Sequence, residues 1–330
     1  MSRTRWVWQA QRAQAAGAGR RSIAAICFFW LSFEPGGLHA SVTRRIRSRS
    51  DGLAHAVSAK VQMDDQIEAI EAAFVAQWAN FGRGPGGTLH EGDGLMWVEA
   101  PVPQLPYNAV LRTHLDAGAD EEIGRLAARF RERDVQFMWL AHPSARPGDL
   151  ATRLGDQGLS LVERGTGMTL EAEAWRPESS KERGELVYRE VTDEDGMRAY
   201  EELIASYWEL PPESHAYVFG INRWGHEQGL GVRWVAYRDE RPVGKVYLSW
   251  LGVEGTAAIF AVYVHPSARG FGAATRLTEL AITRALEAGR TRVVLHSSEV
   301  AVNLYRRMGF VERCGLPVYA TTSLHSLQPS

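Results

Sequence analysis

The sequence predicts an α/β fold whose plan is used twice. Helix-like and strand-like periodicities alternate from residue 63 onward. A stretch at 154–170, LGDQGLSLVERGTGMTL, is echoed at 305–322 by YRRMGFVERCGLPVYATT, and a polar, proline-bearing segment, AWRPESSKER at 174–183, separates the two runs. At 330 residues the chain has room for two domains of about 100 to 200 residues each, so neither half needs a metal or a disulfide to hold a core.

Composition narrows the function classes. The chain holds two cysteines, Cys27 and Cys314, and no C-x-x-C pair, which excludes a zinc ribbon, a redox dithiol and a secreted disulfide scaffold. With 45% hydrophobic and 23% charged residues and a net charge of -2, there is no electrostatic case for nucleic acid as a partner. The near-neutrality is a cancellation. Residues 1–62 hold ten Lys+Arg against two acids, Glu34 and Asp51, so of the 37 basic and 39 acidic residues 27 and 37 remain for the rest. The one apolar run there, IAAICFFWLSF at 23–33, is shorter than the ~20 residues of a membrane helix. The segment reads as a basic extension outside the fold, either a disordered tail or residues ahead of a start at Met63. Its likeness to a secretory signal is loose, because the leading region is long and polar. A cytoplasmic location with no membrane association is expected.

The elements follow in order. Ile67, Ile70, Ala73, Phe74 and Trp78 give helical spacing over 66–80, and the glycine-rich FGRGPGG stops it. Strands come next at 95–100 and 108–113, then a helix at 120–131 through Ile123, Leu126, Ala127 and Phe130, a buried-type strand at 135–141, a short helix at 149–156 and a strand at 159–171. Beyond the linker, 186–191 reads as a strand. Thr192, with Asp195 three residues on, reads as the cap of a helix that reaches about Tyr207 and is broken by Pro211 and Pro212. A second helical stretch ends near Trp224. Strands at 232–237 and 243–250 flank the turn Arg238-Asp239-Glu240-Arg241 as a hairpin, with a third strand at 257–264. A helix over 272–288 with Gly289 past its end, a strand at 292–296, a short helix at 299–307 and strand material at 311–320 complete the plan. In the repeat Gly158 matches Gly309 and Leu159 matches Phe310, and each copy is preceded by a helix, a short strand and a turn with a histidine, His142 or His296.

The chemistry concentrates at 260–277, FAVYVHPSARGFGAATRL, where a strand gives way to a small-residue turn that opens a helix. Small residues let backbone N–H groups converge on a phosphate, and the helix N-terminus adds partial positive charge. No Lys-Ser/Thr follows the second glycine, which excludes a P-loop. A dinucleotide fingerprint wants Gly or Ala where Thr275 stands and an acid about 20 residues on, whereas Glu299 comes 29 residues after Gly270. The remaining pattern, R-x-x-G-x-A at Arg269, Gly272 and Ala274, resembles that of the GCN5-related N-acetyltransferase (GNAT) superfamily. A second signature supports the resemblance: SSEVAVNLYRRMGF at 297–310, ending in L-Y-x-x-x-G-F. The pattern is complete over 186–323 and degenerate over 63–172.

The resemblance implies an acyl-CoA N-acyltransferase fold: α/β, with a mixed, mostly antiparallel central sheet flanked by helices, here duplicated. It implies acetyl-CoA as cosubstrate and no metal. The pantetheine arm would pair like a strand with Val262, Tyr263 and Val264, and the pyrophosphate would lie on Gly270, Phe271, Gly272, Ala273, Ala274 and Thr275 beside Arg269. Ser298, where many members carry Asn, would contact the coenzyme. Tyr305 would be the general acid to the CoA thiolate. The acceptor would be an amine on a small molecule or a protein, and the base Glu209, His215 or a water. The rival readings are a non-catalytic acyl-CoA-binding regulatory module and a nucleotide-binding oxidoreductase. Nothing in the sequence sets an oligomeric state.

Asp116, Asp120, Glu121 and Glu122 stand where the first copy would hold a phosphate, and Leu154 stands where the second has Tyr305. The expected organisation is therefore a basic extension at 1–62, a degenerate copy at 63–173 that binds no coenzyme and shapes the acceptor pocket or supports the second half, a linker at 174–185, the active copy at 186–323 and a tail at 324–330. His265 and His296 are expected to pack or cap, and Cys314 to be a buried, inert thiol. Of Tyr207, Trp208, Trp224, Trp234, Tyr247 and Trp250, more are expected in the core than around an acceptor.

Overall fold

The computed structural model describes residues 63–92, 94–177 and 186–321, so the basic extension, most of the linker and the tail lie outside the described residues. The first run comprises a helix over 63–83 (α1), β1 (Thr88–Gly92), β2 (Leu95–Glu99), β3 (Ala109–Thr113), α2 (Ala119–Glu132), β4 (Met138–Leu140), α3 (Leu150–Asp156) and β5 (Ser160–Glu171). The second comprises β6 (Val187–Glu190), α4 (Glu194–Trp208), α5 (Pro212–Glu227), β7 (Gly231–Arg238), β8 (Arg241–Ser249), β9 (Thr256–Val264), α6 (Ala273–Glu287), β10 (Arg292–Ser297), α7 (Val302–Arg307) and β11 (Val311–Ala320).

Two local expectations are corrected. β1 was not expected: of its residues TLHEG only Thr88 is β-branched, and it pairs on one side only, with β2, as an edge strand with little burial. The cap of α4 is Asp193 rather than Thr192, because the Asp193 carboxylate accepts from the Gly196 N–H at 2.8 Å. The hairpin turn between β7 and β8 is as expected, with Asp239 and Glu240 both at positive φ, as a tight two-residue turn between twisted strands requires.

The strands form one 11-stranded sheet in the order β1-β2-β3-β4-β11-β5-β10-β9-β8-β7-β6. Only β3 with β4 and β9 with β10 pair in parallel, which makes the sheet mixed and mostly antiparallel. The order interleaves the two copies. β5, the last strand of the first run, lies against β10 of the second, and β11, the last strand of the second run, lies against β4 of the first. The repeated segments thus face each other as the central antiparallel pair, Val318 opposite Glu163 and Leu316 opposite Gly165. Division at the linker follows the repeat in sequence, whereas Gln62–Ser330 is one compact unit in space.

Helices cover both faces. Leu277, Ala281, Ile282 and Ala285 of α6 and Tyr305 of α7 pack with Trp234, Ala236, Val246, Leu248, Val293 and Leu295, while α2 and α3 cover Val110 and Trp139 in the first half. The alternate strand residues, among them Val235, Tyr237 and Tyr247, pack under α4 and α5 on the other face. On that face α1 crosses the seam between the copies, with Ala69, Ile70 and Ala73 on Ala258, Val294 and Leu316. Gly167 permits this approach, since a Cβ there would meet Ile70 and the Cys314 thiol. Among the described residues no helix is long and apolar enough to cross a membrane.

Candidate active site

The parallel strands β9 and β10 part company. Their pairing ends at Ile259 opposite Leu295, yet β9 runs on to Val264, so Val262, Tyr263 and Val264 keep β8 on one side and no strand on the other. A bulge starts the divergence: the register with β8 shifts between Lys245 and Tyr247, and Ala261 takes φ 55, a left-handed backbone that costs a non-glycine residue about 1 kcal/mol or more. The Lys245 ammonium nitrogen donates to the Ala261 carbonyl at 3.2 Å and so ties the bulge to β8.

Beyond β9 the chain makes the turn that the motif predicts. The His265 ring caps it by accepting from the Ser267 N–H, and the Arg238 guanidinium lies 4.9 Å over the Phe271 ring. Arg269 donates from Nε to the Val264 carbonyl at 3.3 Å, which places it against the strand end. Gly270 and Gly272 have φ 84 and 82, and no atom stands within 4 Å of where a Cβ would be. Gly272 caps α6 without a side-chain hydrogen bond, and the first helical bond runs from the Arg276 N–H. The N–H groups of Ala273, Ala274 and Thr275 are therefore left without helical acceptors, at a helix end with no acid in its first turn. A helix start of this kind can receive an anion. The first copy has the same turn, Gly118 at φ 77 opening α2, but fills it with Asp120, Glu121 and Glu122. Arg153 pairs with Asp120 and Asp149 there, and Leu154 is core.

A cavity of ≈ 290 Å³ opens beside the parted strands. Val262, Tyr263, Ser298 and Tyr305 line it, whereas Val264 and residues 269–275 do not. Tyr305 is 6% exposed and no hydrogen bond holds its hydroxyl among the described residues; burial pushes the phenol well above its ordinary range, so it keeps its proton. Much of the wall comes from the first half: Phe74, Gln77, Trp78 and Phe81 of α1, Tyr107, and Glu163 of β5. Tyr200, Tyr207 and Trp208 of α4 and Tyr247 and Lys245 of β8 complete it.

Three ionisable side chains in this wall are unusual. Burial, with the Glu299 charge behind it, raises the Glu163 carboxyl above its ordinary value. His296 sits 4.0 Å from that carboxylate and edge-on to Phe74 at 4.8 Å, and burial lowers it to about 4, which keeps the imidazole neutral. The ring has room only because residue 165 is glycine: a Cβ there would fall 1.4 Å from His296 Nε2. Lys245 is 2% exposed, and burial, with the Arg233 charge second, lowers its ammonium to about 7.

A model of the acetyltransferase (GNAT) family matches residues 197–310. Over these residues the chain is similar to that family. Among solved structures, a GCN5-related N-acetyltransferase from Kribbella flavida superposes with TM-score 0.56 at 17% identity, over 79% of this chain and 98% of that one. Another from Sphaerobacter thermophilus gives 0.53 at 18%, over 70% and 81%. A tandem GNAT protein from the clavulanic acid biosynthesis pathway gives 0.50 at 15%, over 78% and 94%. At these identities the likeness is one of fold, and it spans both halves: the chain is a duplicated acyl-CoA N-acyltransferase fold. No curated protein matches the chain.

In the second half the two proposed base residues stand away from the cavity. Glu209 is exposed at the end of α4, and His215 turns its Nε2 to the Leu210 carbonyl at 3.2 Å; neither lines the wall. Glu163, Lys245 and the α1 aromatics do, and sequence reasoning missed them. Glu163 lies in the degenerate copy, where no motif marks it. Lys245 sits in a strand whose apolar alternation signals core, and an unpaired lysine within such a strand was the available sign. Of the six aromatics, Tyr207, Trp208 and Tyr247 reach the cavity, while Trp234 and Trp250 pack with the core. Cys314 is half-buried with its thiol pushed up to about 12, which leaves it unreactive. Among the described residues no cluster of potential metal ligands occurs.

Proposed function

We propose that the protein is an acetyl-CoA-dependent N-acetyltransferase for small-molecule amines, with one reaction centre in the cavity between the two copies. The observation that carries this reading is that the parted edge of β9, the free hydroxyl of Tyr305 and the carboxyl of Glu163 all face one aromatic-walled cavity next to a phosphate-ready turn. Acetyl-CoA held there supplies an acetyl thioester. N–H groups along the parted edge of β9 polarise its carbonyl, and Ser298 flanks it. The acceptor enters as an ammonium, attracted by the aromatic rings and by Glu163. Glu163, whose carboxyl burial raises above its ordinary value, takes its proton. The nitrogen lone pair forms the new C–N bond as the C–S bond breaks, and Tyr305 gives its proton to the departing sulfur. The nitrogen sheds its second excess proton to the Tyr305 phenolate, which restores the phenol, and Glu163 releases the first to solvent. A cytoplasmic location goes with this reading, acetyl-CoA being an intracellular metabolite.

The test is calorimetric titration of acetyl-CoA together with thiol release over a panel of amines. Coenzyme binding with no amine acetylated would favour the acyl-CoA-binding module, and nicotinamide dinucleotide binding in place of acetyl-CoA would favour the oxidoreductase.

A further inference from the structure

We propose that Lys245 is a subsite for a carboxylate on the acceptor, so that the amine acetylated belongs to an amino acid or another amino-carboxylate. The inference rests on the N-acetyltransferase reading for the fate of the amine, but not for the binding of the carboxylate.

Lys245 is a cation placed where a protein does not place one without a partner. Its ammonium lies on the cavity wall between the rings of Tyr200 at 5.2 Å and Tyr207 at 6.0 Å. One of its three donors is used, on the Ala261 carbonyl. Among the described residues no carboxylate comes within ion-pair distance of it. Behind it lies a second buried cation: Arg233 of β7, 3% exposed, with its guanidinium over Tyr247 at 4.3 Å and Nε and Nη1 lacking acceptors. Glu201, the buried acid of α4, is already paired with Arg223. Among the described residues neither buried cation has a counterion, which leaves this end of the cavity short of negative charge.

The chemistry of the wall selects the anion. Arg233 does not line the cavity, so no guanidinium fork is offered, and the phosphate-ready turn lies outside it. A single ammonium donor among aromatic rings fits a monovalent carboxylate on an apolar body. Glu163, the other charged group in the wall, belongs to β5 across the seam, and neither it nor Lys245 is among the charges that perturb the other. A zwitterion with its amine towards Glu163 and its carboxylate on Lys245 satisfies both ends.

Calorimetry on the full chain without coenzyme tests the subsite apart from catalysis, with phenylalanine, phenylalaninamide and 3-phenylpropionate as probes. The acid forms should bind the wild type roughly ten- to a hundred-fold more tightly than the amide, and Lys245→Met should remove that preference. The wild type gives an independent readout. The groups facing Lys245 are Tyr200 and Tyr207 from α4, Arg233 from β7 and Tyr263 from β9, with Glu163, His296 and Tyr305 elsewhere in the wall. The phenols of Tyr200, Tyr207 and Tyr305 are pushed up and His296 is lowered, so of these four and Lys245 it is Lys245 that changes charge between about pH 6 and about pH 9. Binding of 3-phenylpropionate should weaken across that range and take up a proton at its upper end. Equal affinity for acid and amide, or acid binding that is insensitive to both the substitution and pH, would overturn the proposal. Thiol release with the same pairs then reports on the enzyme reading. Acid-selective binding without turnover would sink that reading alone, and turnover that ignores the carboxylate would sink the subsite alone.

Discussion

Replacing Lys245 by methionine should make the folded protein more stable at neutral pH, although it deletes a polar contact. The folded state holds this ammonium at about 7 against an ordinary 10.5. The direction fixes the sign: the unfolded chain binds the proton more readily, so stability is full above the unfolded value, falls as pH drops from about 10.5 and levels off below about 7. A difference of that size corresponds to about 5 kcal/mol at the plateau. Loss of the bond to the Ala261 carbonyl takes back about 1 kcal/mol, and the methionine side chain fills a similar volume. The variant should therefore exceed the wild type by about 3 kcal/mol near pH 7 and fall slightly below it at about pH 10.5 and above. Urea denaturation at several pH values measures this directly. A gap that is absent at pH 7, or that does not shrink as pH rises, would show that Lys245 is solvated or paired in the folded state and would refute the reasoning.

Three further outcomes are expected. Tyr305→Phe should leave acetyl-CoA affinity unchanged and lower turnover by roughly a hundred-fold or more, as loss of a general acid does; equal turnover removes Tyr305 from the mechanism. Gly165→Ala should destabilise by about 3 kcal/mol, because the new methyl collides with a His296 ring that Phe74 blocks from retreating, and thermal denaturation reads the loss. Gly272→Ala should cost about 1 to 2 kcal/mol in backbone strain and weaken acetyl-CoA binding, since the methyl enters the space above the free N–H groups of α6; unchanged affinity by calorimetry would place the phosphates elsewhere.

Much of the fold was legible because its signals are local. The apolar spacing of α1, α2 and α6, the strand runs flanking the turn at Asp239 and Glu240, and the glycine after each helix are written within a few residues of where they act. The glycine turn that opens α6 and the place of Tyr305 on α7 were legible for the same reason. Which strand neighbours which was not. β5 and β11 descend from one repeated pattern, and either could close either copy by local criteria; the choice depends on contacts across more than a hundred residues. The cavity wall shares that opacity. Glu163 reaches it only because β5 lies beside β10, and the α1 aromatics only because that helix crosses the seam.

The interleaving of β5 and β11 imposes an order on synthesis. When β5 leaves the ribosome, the strand that will separate it from β4 lies some 140 residues downstream, and its other neighbour, β10, has not been made either. The nascent first copy must wait with a gap at the centre of its sheet. Insertion of β11 fills the gap and joins both copies in the same event. A chain halted anywhere before Val311 is therefore an open sheet, exposed to chaperones and proteases.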